Sequence, residues 1–373
     1  MTYSFNTIQS IAIILGFLLI GYTLQKKIPS LKDNFVPAPF IGGLACGVFM
    51  LALTPYITIQ LDTSLMVVFV AGFFASVGLR SNKTVISQGF GKQMLFLAIV
   101  VGLAFLQNVV SIGLAAAFGL GREGALLHGS LAFMGDAGLG PLFTELGGVS
   151  LPLLGGVSTL AVIVGTLLGG QVFRCLQGKA DLSSTIKPPA APFGPMELLK
   201  YLFIFGLTVG LGFLPLQNGL GKWITPIGGA FLFGLMVRLV LDKTKWFELQ
   251  VPHVNLIGNF SLSLFLTFVF ATLKWDTIAK LTASSIAITV VQTALVFLVA
   301  VFVIRKLYGN NALAAYIATG LPGFALGIPA STMSTLQCVS ENMGAIPMVL
   351  FVVPPVGAWL IALLNPYIIQ LFF

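Results

Sequence analysis

The chain has 373 residues, 57% of them hydrophobic and 8% charged, with a formal net charge of +8. A soluble domain carries about 25% charged residues because its surface must be wetted. This composition, with a mean hydropathy of +1.02, therefore excludes a water-soluble globular domain and makes lipid the solvent for most of the chain. Nor does the positive charge indicate nucleic acid: the basic residues lie in short runs between apolar segments, where they set membrane orientation.

In chain order, the opening stretch MTYSFNTIQS lacks a basic n-region and is expected to lead into a retained span, not a cleaved signal peptide. A spanning helix needs roughly 20 mostly apolar residues. Ten segments meet that test, at 6–24, 36–54, 62–79, 92–119, 150–173, 197–214, 222–241, 254–273, 284–304 and 345–371. Two further regions, 123–146 and 312–338, are apolar but rich in Gly and small residues. They are too interrupted for lipid-facing helices and too apolar for aqueous loops. Irregular backbone persists at membrane depth only where it is buried in protein or lines a wet cavity. Both are therefore predicted as re-entrant hairpins, the first between spans four and five, the second between spans nine and ten. The plainer alternative is close helix packing of the small-xxx-small kind.

With the N-terminus outside, 15 of the 19 Lys and Arg residues fall on inner connections, which predicts both termini outside. The polar stretch 174–196 reads as a cytoplasmic linker between a first half, 1–173, and a second half, 197–373. Five spans per half require opposite orientations. The halves also share patterns: APFIGGLACGVFM (38–50) against TPIGGAFLFGLM (225–236), Gln107 against Gln292, and AGLGP (137–141) against ALGIP (325–329). These matches predict an inverted-topology repeat, with the two Gly-rich tips meeting near the midplane. The expected class is an all-α polytopic membrane protein.

Candidate site residues cluster at those tips. A mid-membrane carboxylate is costly and usually functional, so Asp136, in FMGDAGLGPLF, is read as an ion ligand or a partner for a substrate amine; the alternative is a local amide cap. Backbone at Gly135, Asp136, Ala137, Gly138 and Gly140, and at Gly323, Phe324 and Gly327, is read as substrate-facing, together with Ser331, Thr332 and Gln337. Gln107, Asn108, Asn259, Ser261 and Ser263 are candidate ion-path residues, or else interhelical hydrogen bonders. Glu341 reads as solvated, and Trp223, Trp246 and Trp275 as interfacial anchors. Cys46, Cys175 and Cys338 show neither disulfide nor metal spacing, and His128 and His253 form no metal cluster. No catalytic set is legible, so no enzyme is expected. Without an ATP site, an ion gradient, of sodium or of protons, is the expected energy source, with no cofactor other than the coupling ion. A passive channel, or a carrier of a different solute coupled to protons, is the alternative.

Several stretches resemble the bacterial sodium/glutamate symporter family: GNFSLSLFL (258–266), VVPPVGAWLIALLN (352–365), FFASVGL (73–79), VPAPFIGGL (36–44) and QNVVSIGLA (107–115). The resemblance implies two inverted five-helix repeats, each with a Gly-rich re-entrant loop, and a homodimer in the bacterial inner membrane. It also implies elevator-type, sodium-coupled uptake of glutamate or a related amino acid or small carboxylate. The family's first loop resembles Ser-Gly-Gly-His-Gly-Thr-Gly. Here the matching residues are Met134, Gly135, Asp136, Ala137, Gly138, Leu139 and Gly140. Asp136 would repel a bound glutamate unless a cation intervenes.

Overall fold

The computed structural model describes residues 2–134, 141, 143, 148–185 and 194–373. Among them, seven helices are long and apolar enough to cross a membrane: Thr7–Lys27, Lys83–Ala117, Leu151–Gln177, Pro195–Gln217, Val251–Ala271, Ala283–Tyr308 and Pro347–Phe372. Shorter apolar helices cover Ala38–Leu53, Met66–Arg80 and Ala312–Ala325, and Pro226–Thr244 carries Arg238, Asp242 and Lys243. Each of the ten apolar segments thus coincides with a helix. The only paired strands among the described residues are Thr2–Ser4 and Thr58–Gln60, which run parallel.

Local chemistry sets the boundaries. The Asn6 side chain accepts from the Gln9 N–H while the Gln9 side chain accepts from the Asn6 N–H, a reciprocal cap that starts the first helix. Asn82 caps Lys83–Ala117 by accepting from the Val85 N–H. This helix therefore begins well before the apolar run at 92, through residues that hydropathy alone assigns to a connection. Conversely, the third helix starts at Met66, not 62, because the Asp62 carboxylate accepts from the Ser64 N–H and closes a turn there. Near the end of the chain, Pro354 and Pro355 interrupt the hydrogen-bond ladder. The π-helical turn Val356–Leu360 follows directly.

The helices sort into two groups by packing. Helices 7–27, 38–53 and 66–80 pack with 195–212, 226–244 and 251–271. Helices 83–117, 151–177, 283–308 and 347–372 pack instead with one another and with the Gly-rich segments. Within the first group the two halves use the same device. A Cβ on Gly42 would overlap the Phe17 carbonyl of helix 7–27, and a Cβ on Gly229 would overlap the Gly212 carbonyl of helix 195–212. Glycine lets these backbones touch where lipid offers no hydrophobic drive for association.

The second Gly-rich region is a helical hairpin. Helix Ala312–Ala325 carries Pro322 internally and ends at Leu326, and Pro329–Met343 returns from Ile328. Gly327 between them has φ +148°, a conformation that disfavours any side chain. The Thr332 hydroxyl donates to the Gly320 carbonyl at 2.7 Å and ties the arms together. Of the first Gly-rich region, the structure describes helices Gly121–Leu127 and Ser130–Met134.

Candidate functional site

Two polar sites adjoin the Gly-rich segments. The first is a junction where both segments meet the deep amides of the long helices. The Gly327 N–H donates to the Phe133 carbonyl at 2.8 Å, joining the second hairpin's tip to the end of helix 130–134. Gln107, fully buried in helix 83–117, donates through Nε2 to the Ala325 carbonyl at 2.8 Å. Gln292, fully buried in helix 283–298, donates through Nε2 to the carbonyls of Gln107 (2.9 Å) and His128 (3.1 Å). Asn365 donates to the Ser130 carbonyl at 3.0 Å. The Asn108 Oδ1 accepts from the Ser130 N–H at 2.7 Å, and the Ser111 hydroxyl donates to Ala125 at 2.6 Å.

These bonds fix the amide orientations. An NH₂ group that donates to a backbone carbonyl cannot be exchanged for its own oxygen, since two acceptors would then face each other. Gln107 Oε1, Gln292 Oε1 and Asn365 Oδ1 are consequently left buried with no hydrogen-bond partner among the described residues. The His128 Nδ1 lies 2.7 Å from the Gly124 carbonyl and donates to it. In the neutral ring this makes Nε2 an acceptor, also without a partner. Among the described residues the junction thus holds four buried acceptors with no donor, against two unpartnered groups that can donate, Asn108 Nδ2 and the Ser130 hydroxyl. Buried polar atoms are normally satisfied. An excess of acceptors is an electron-rich environment that a small cation satisfies, as hard oxygen donors do for ions of this kind.

The second site is a cavity of about 300 Å³ bounded by helices 66–80, 251–271 and 329–343. Arg80, Asn255, Asn259, Gln337, Ser340 and Glu341 supply its polar wall. The Arg80 guanidinium is anchored by neutral acceptors: the Ser76 carbonyl at 3.0 Å, the Ser76 hydroxyl at 2.7 Å and Asn255 Oδ1 at 2.7 Å. Glu341 accepts from Gln337 Nε2 at 2.8 Å, and the same NH₂ donates to the Ser263 hydroxyl at 3.0 Å. The Tyr22 hydroxyl lies 3.5 Å from that of Ser263.

The sequence candidates divide between these places. Gln107 and Asn108 belong to the junction, Asn259 and Gln337 line the cavity, and Ser263 bonds Gln337 beside it. The Ser261 hydroxyl faces Gly72 on helix 66–80. At the second tip, Gly323 packs against the Thr332 backbone within the hairpin. Phe324 is buried edge-on to Phe96, with ring centroids 5.8 Å apart. The Ser331 hydroxyl is buried and unpartnered. Gly135, Asp136, Ala137, Gly138 and Gly140 lie outside the described residues, as does Glu145. Sequence reasoning did not single out Gln292, Asn365, His128, Arg80 or Asn255 as site residues. The two amides carried a usable signal, a lone carboxamide within an apolar run. Arg80 did not, because a basic residue at the end of an apolar run reads as an orientation signal.

A model of the sodium/glutamate symporter family matches residues 3–189 and 196–345. The sodium/glutamate symporter of Escherichia coli strain K12 is 30% identical over 377 residues, covering 95% of this chain and 94% of that protein. The sodium/glutamate symporter of Haemophilus influenzae is 25% identical over 397 residues, covering all of this chain and 98% of its own. With several apolar helices long enough to span a bilayer, the chain is a multi-pass membrane protein and a transporter, not an enzyme, and it belongs to the sodium/glutamate symporter family.

Proposed function

We propose that the chain couples sodium flow down its gradient to inward movement of glutamate or a closely related amino acid or small carboxylate. The observation that carries this reading, beside family membership, is the surplus of buried acceptors at the junction. Gln107 Oε1, Gln292 Oε1 and Asn365 Oδ1 have no donor among the described residues to satisfy them, and sodium, as a transported ion, would. The junction binds both Gly-rich segments through their backbone carbonyls. A cation held there would therefore stiffen the contact between the two tips. Symport requires that ion and solute each raise the other's affinity, and a shared tip contact provides that linkage.

The finer architecture belongs to the same reading: two inverted repeats, 1–173 and 197–373, joined by a cytoplasmic linker at 174–196, with both termini outside the inner membrane. The matching Gly42 and Gly229 crossings support the repeat, and the sorting of helices into two groups supports an elevator. In that elevator, helices 83–117, 151–177, 283–308 and 347–372, with the Gly-rich segments, slide against the other six. The re-entrant course of 123–146 and 312–338 and the homodimer complete the proposal. Asp136 is kept in it as an ion ligand at the first tip.

The test is uptake of labelled glutamate into proteoliposomes under an inward sodium gradient. Uptake should collapse when choline replaces sodium. Uptake that persists in choline and follows a pH gradient would overturn the sodium assignment, and conductance without saturable exchange would favour a channel.

A further inference from the structure

The cavity between helices 66–80, 251–271 and 329–343 contains two opposite charges that have not found each other. Among the described residues, Arg80 makes hydrogen bonds only to Ser76 and Asn255, both neutral, and Glu341 is held only by the Gln337 amide. Among the described residues the one ion pair is Arg238–Asp242, within helix 226–244, and neither residue lines this cavity. A guanidinium has five N–H donors, and three of Arg80's contacts are accounted for, so part of the fork remains to take an oxyanion. Neutral anchors hold the group in place without quenching its charge, which is how a site built for a carboxylate differs from a structural salt bridge.

We infer that this cavity is the amino-acid site, with Arg80 binding a carboxylate of the substrate and Glu341 its ammonium. Arg80 is half-buried and Glu341 is exposed, neither charge is neutralised by an ion pair among the described residues, and a zwitterion neutralises both at once. The neutral groups Asn259, Gln337 and Ser340, which line the cavity between the charges, provide hydrogen bonds for the remainder of the molecule. A volume of about 300 Å³ lies at the small end of ligand pockets, which suits a small solute. Arg80 comes from the six-helix group and Glu341 from the hairpin arm, so a bound zwitterion would bridge the two groups. Arg80 thereby acquires a task beyond that of an orientation charge. The assignment rests on the reading of the chain as an amino-acid carrier.

The experiment compares wild type, R80K, R80Q and E341Q in proteoliposomes, with glutarate (no amine) and 4-aminobutyrate (one carboxylate) as competitors of glutamate. R80Q should raise the KM for glutamate at least about 30-fold, as expected when a buried charge loses its partner, and R80K should recover part of the loss. E341Q should lower the preference for glutamate over glutarate at least about tenfold while leaving glutarate binding intact. A KM for R80Q within about threefold of wild type, or an unchanged preference in E341Q, overturns the assignment. A second readout is independent of transport and of those variants. In a C175S background, which removes the exposed native thiol, Ser340→Cys should react with a water-soluble thiol reagent. Glutamate should slow that reaction. If wild type takes up no glutamate, the transport reading fails; protection of the new thiol by another zwitterionic amino acid would still support the site. Absence of protection by any amino acid would overturn it.

Discussion

The two helix groups differ in where their buried carboxamides go. In the six-helix group buried hydroxyls mostly turn back on their own helix: Ser81 donates to Val77 at 2.7 Å, Thr208 to Ile204 at 2.7 Å and Thr267 to Ser263 at 2.8 Å. Such bonds satisfy the hydroxyl without committing it to a neighbour; glycine crossings and apolar contact join these helices, with the Arg80–Asn255 bond at 2.7 Å as a polar tie. The other group has such bonds too, Thr166 to Val162 and Thr319 to Ala315, both at 2.7 Å, but adds side chains that reach across elements. Gln107 binds Ala325, Gln292 binds His128, Asn365 binds Ser130, and the Thr335 hydroxyl binds Thr166 at 3.2 Å. The first arrangement makes a unit whose parts are complete in themselves. The second makes one whose parts depend on each other, with buried oxygens that have no donor among the described residues.

That contrast can be broken most directly at the seam. Ser263 and Gln337 lie on different groups and are hydrogen-bonded at 3.0 Å. In a cysteine-free background, Ser263→Cys with Gln337→Cys should be cross-linked by mercuric ion, abolishing uptake until a thiol is added. Full uptake after cross-linking would mean that the groups do not move relative to each other there. The next effect concerns the dependent unit. Gln292→Leu removes one acceptor and takes a side-chain donor away from the Gln107 and His128 carbonyls, and a buried group left unpartnered costs about 1–3 kcal/mol. The sodium concentration for half-maximal uptake should rise at least about tenfold, read from initial rates. An unchanged sodium dependence would remove Gln292 from the ion path.

The self-contained unit is tested by Gly229→Val, whose side chain meets the Gly212 backbone. Overpacking of this kind costs about 1–3 kcal/mol, and the melting temperature in detergent should fall while any remaining folded protein keeps its sodium dependence. The smallest effect lies in the linker. The Ser183 N–H, with help from its hydroxyl, holds the Asp181 carboxyl below the usual carboxylate range. A lowered folded-state value contributes stability above the ordinary carboxylate pKa, and that contribution is lost as pH falls through the lowered value. Asp181 is fully exposed, so Asp181→Asn should leave thermal stability at neutral pH unchanged within measurement. The difference from wild type should shrink further on acidification.

The long apolar helices were legible because a bilayer demands long apolar runs and little else in this chain resembles them. The second hairpin was legible from PGFALGIP, since Pro322, Gly327 and Pro329 cannot continue one helix. Gln107 could be read because a carboxamide inside grease needs a partner. What that partner is could not be read: Ala325 is more than 200 positions away, and its carbonyl is exposed only because the hairpin breaks there. Arg80 and Glu341 were each read by local context, one as an orientation charge, the other as a solvated end. Their joint meaning arises only when helices from both halves close around one cavity.

Helix Ala38–Leu53 has 16 residues, which at about 1.5 Å per residue gives roughly 24 Å, against a hydrocarbon core of about 30 Å. Its outward residues Val48, Phe49 and Leu51 are exposed. Lipid alongside this helix must shorten to meet it, so the protein carries a local preference for a thin bilayer. Acyl-chain length then becomes a control on the carrier: reconstitution in longer-chain lipids should slow it even when every site residue is intact.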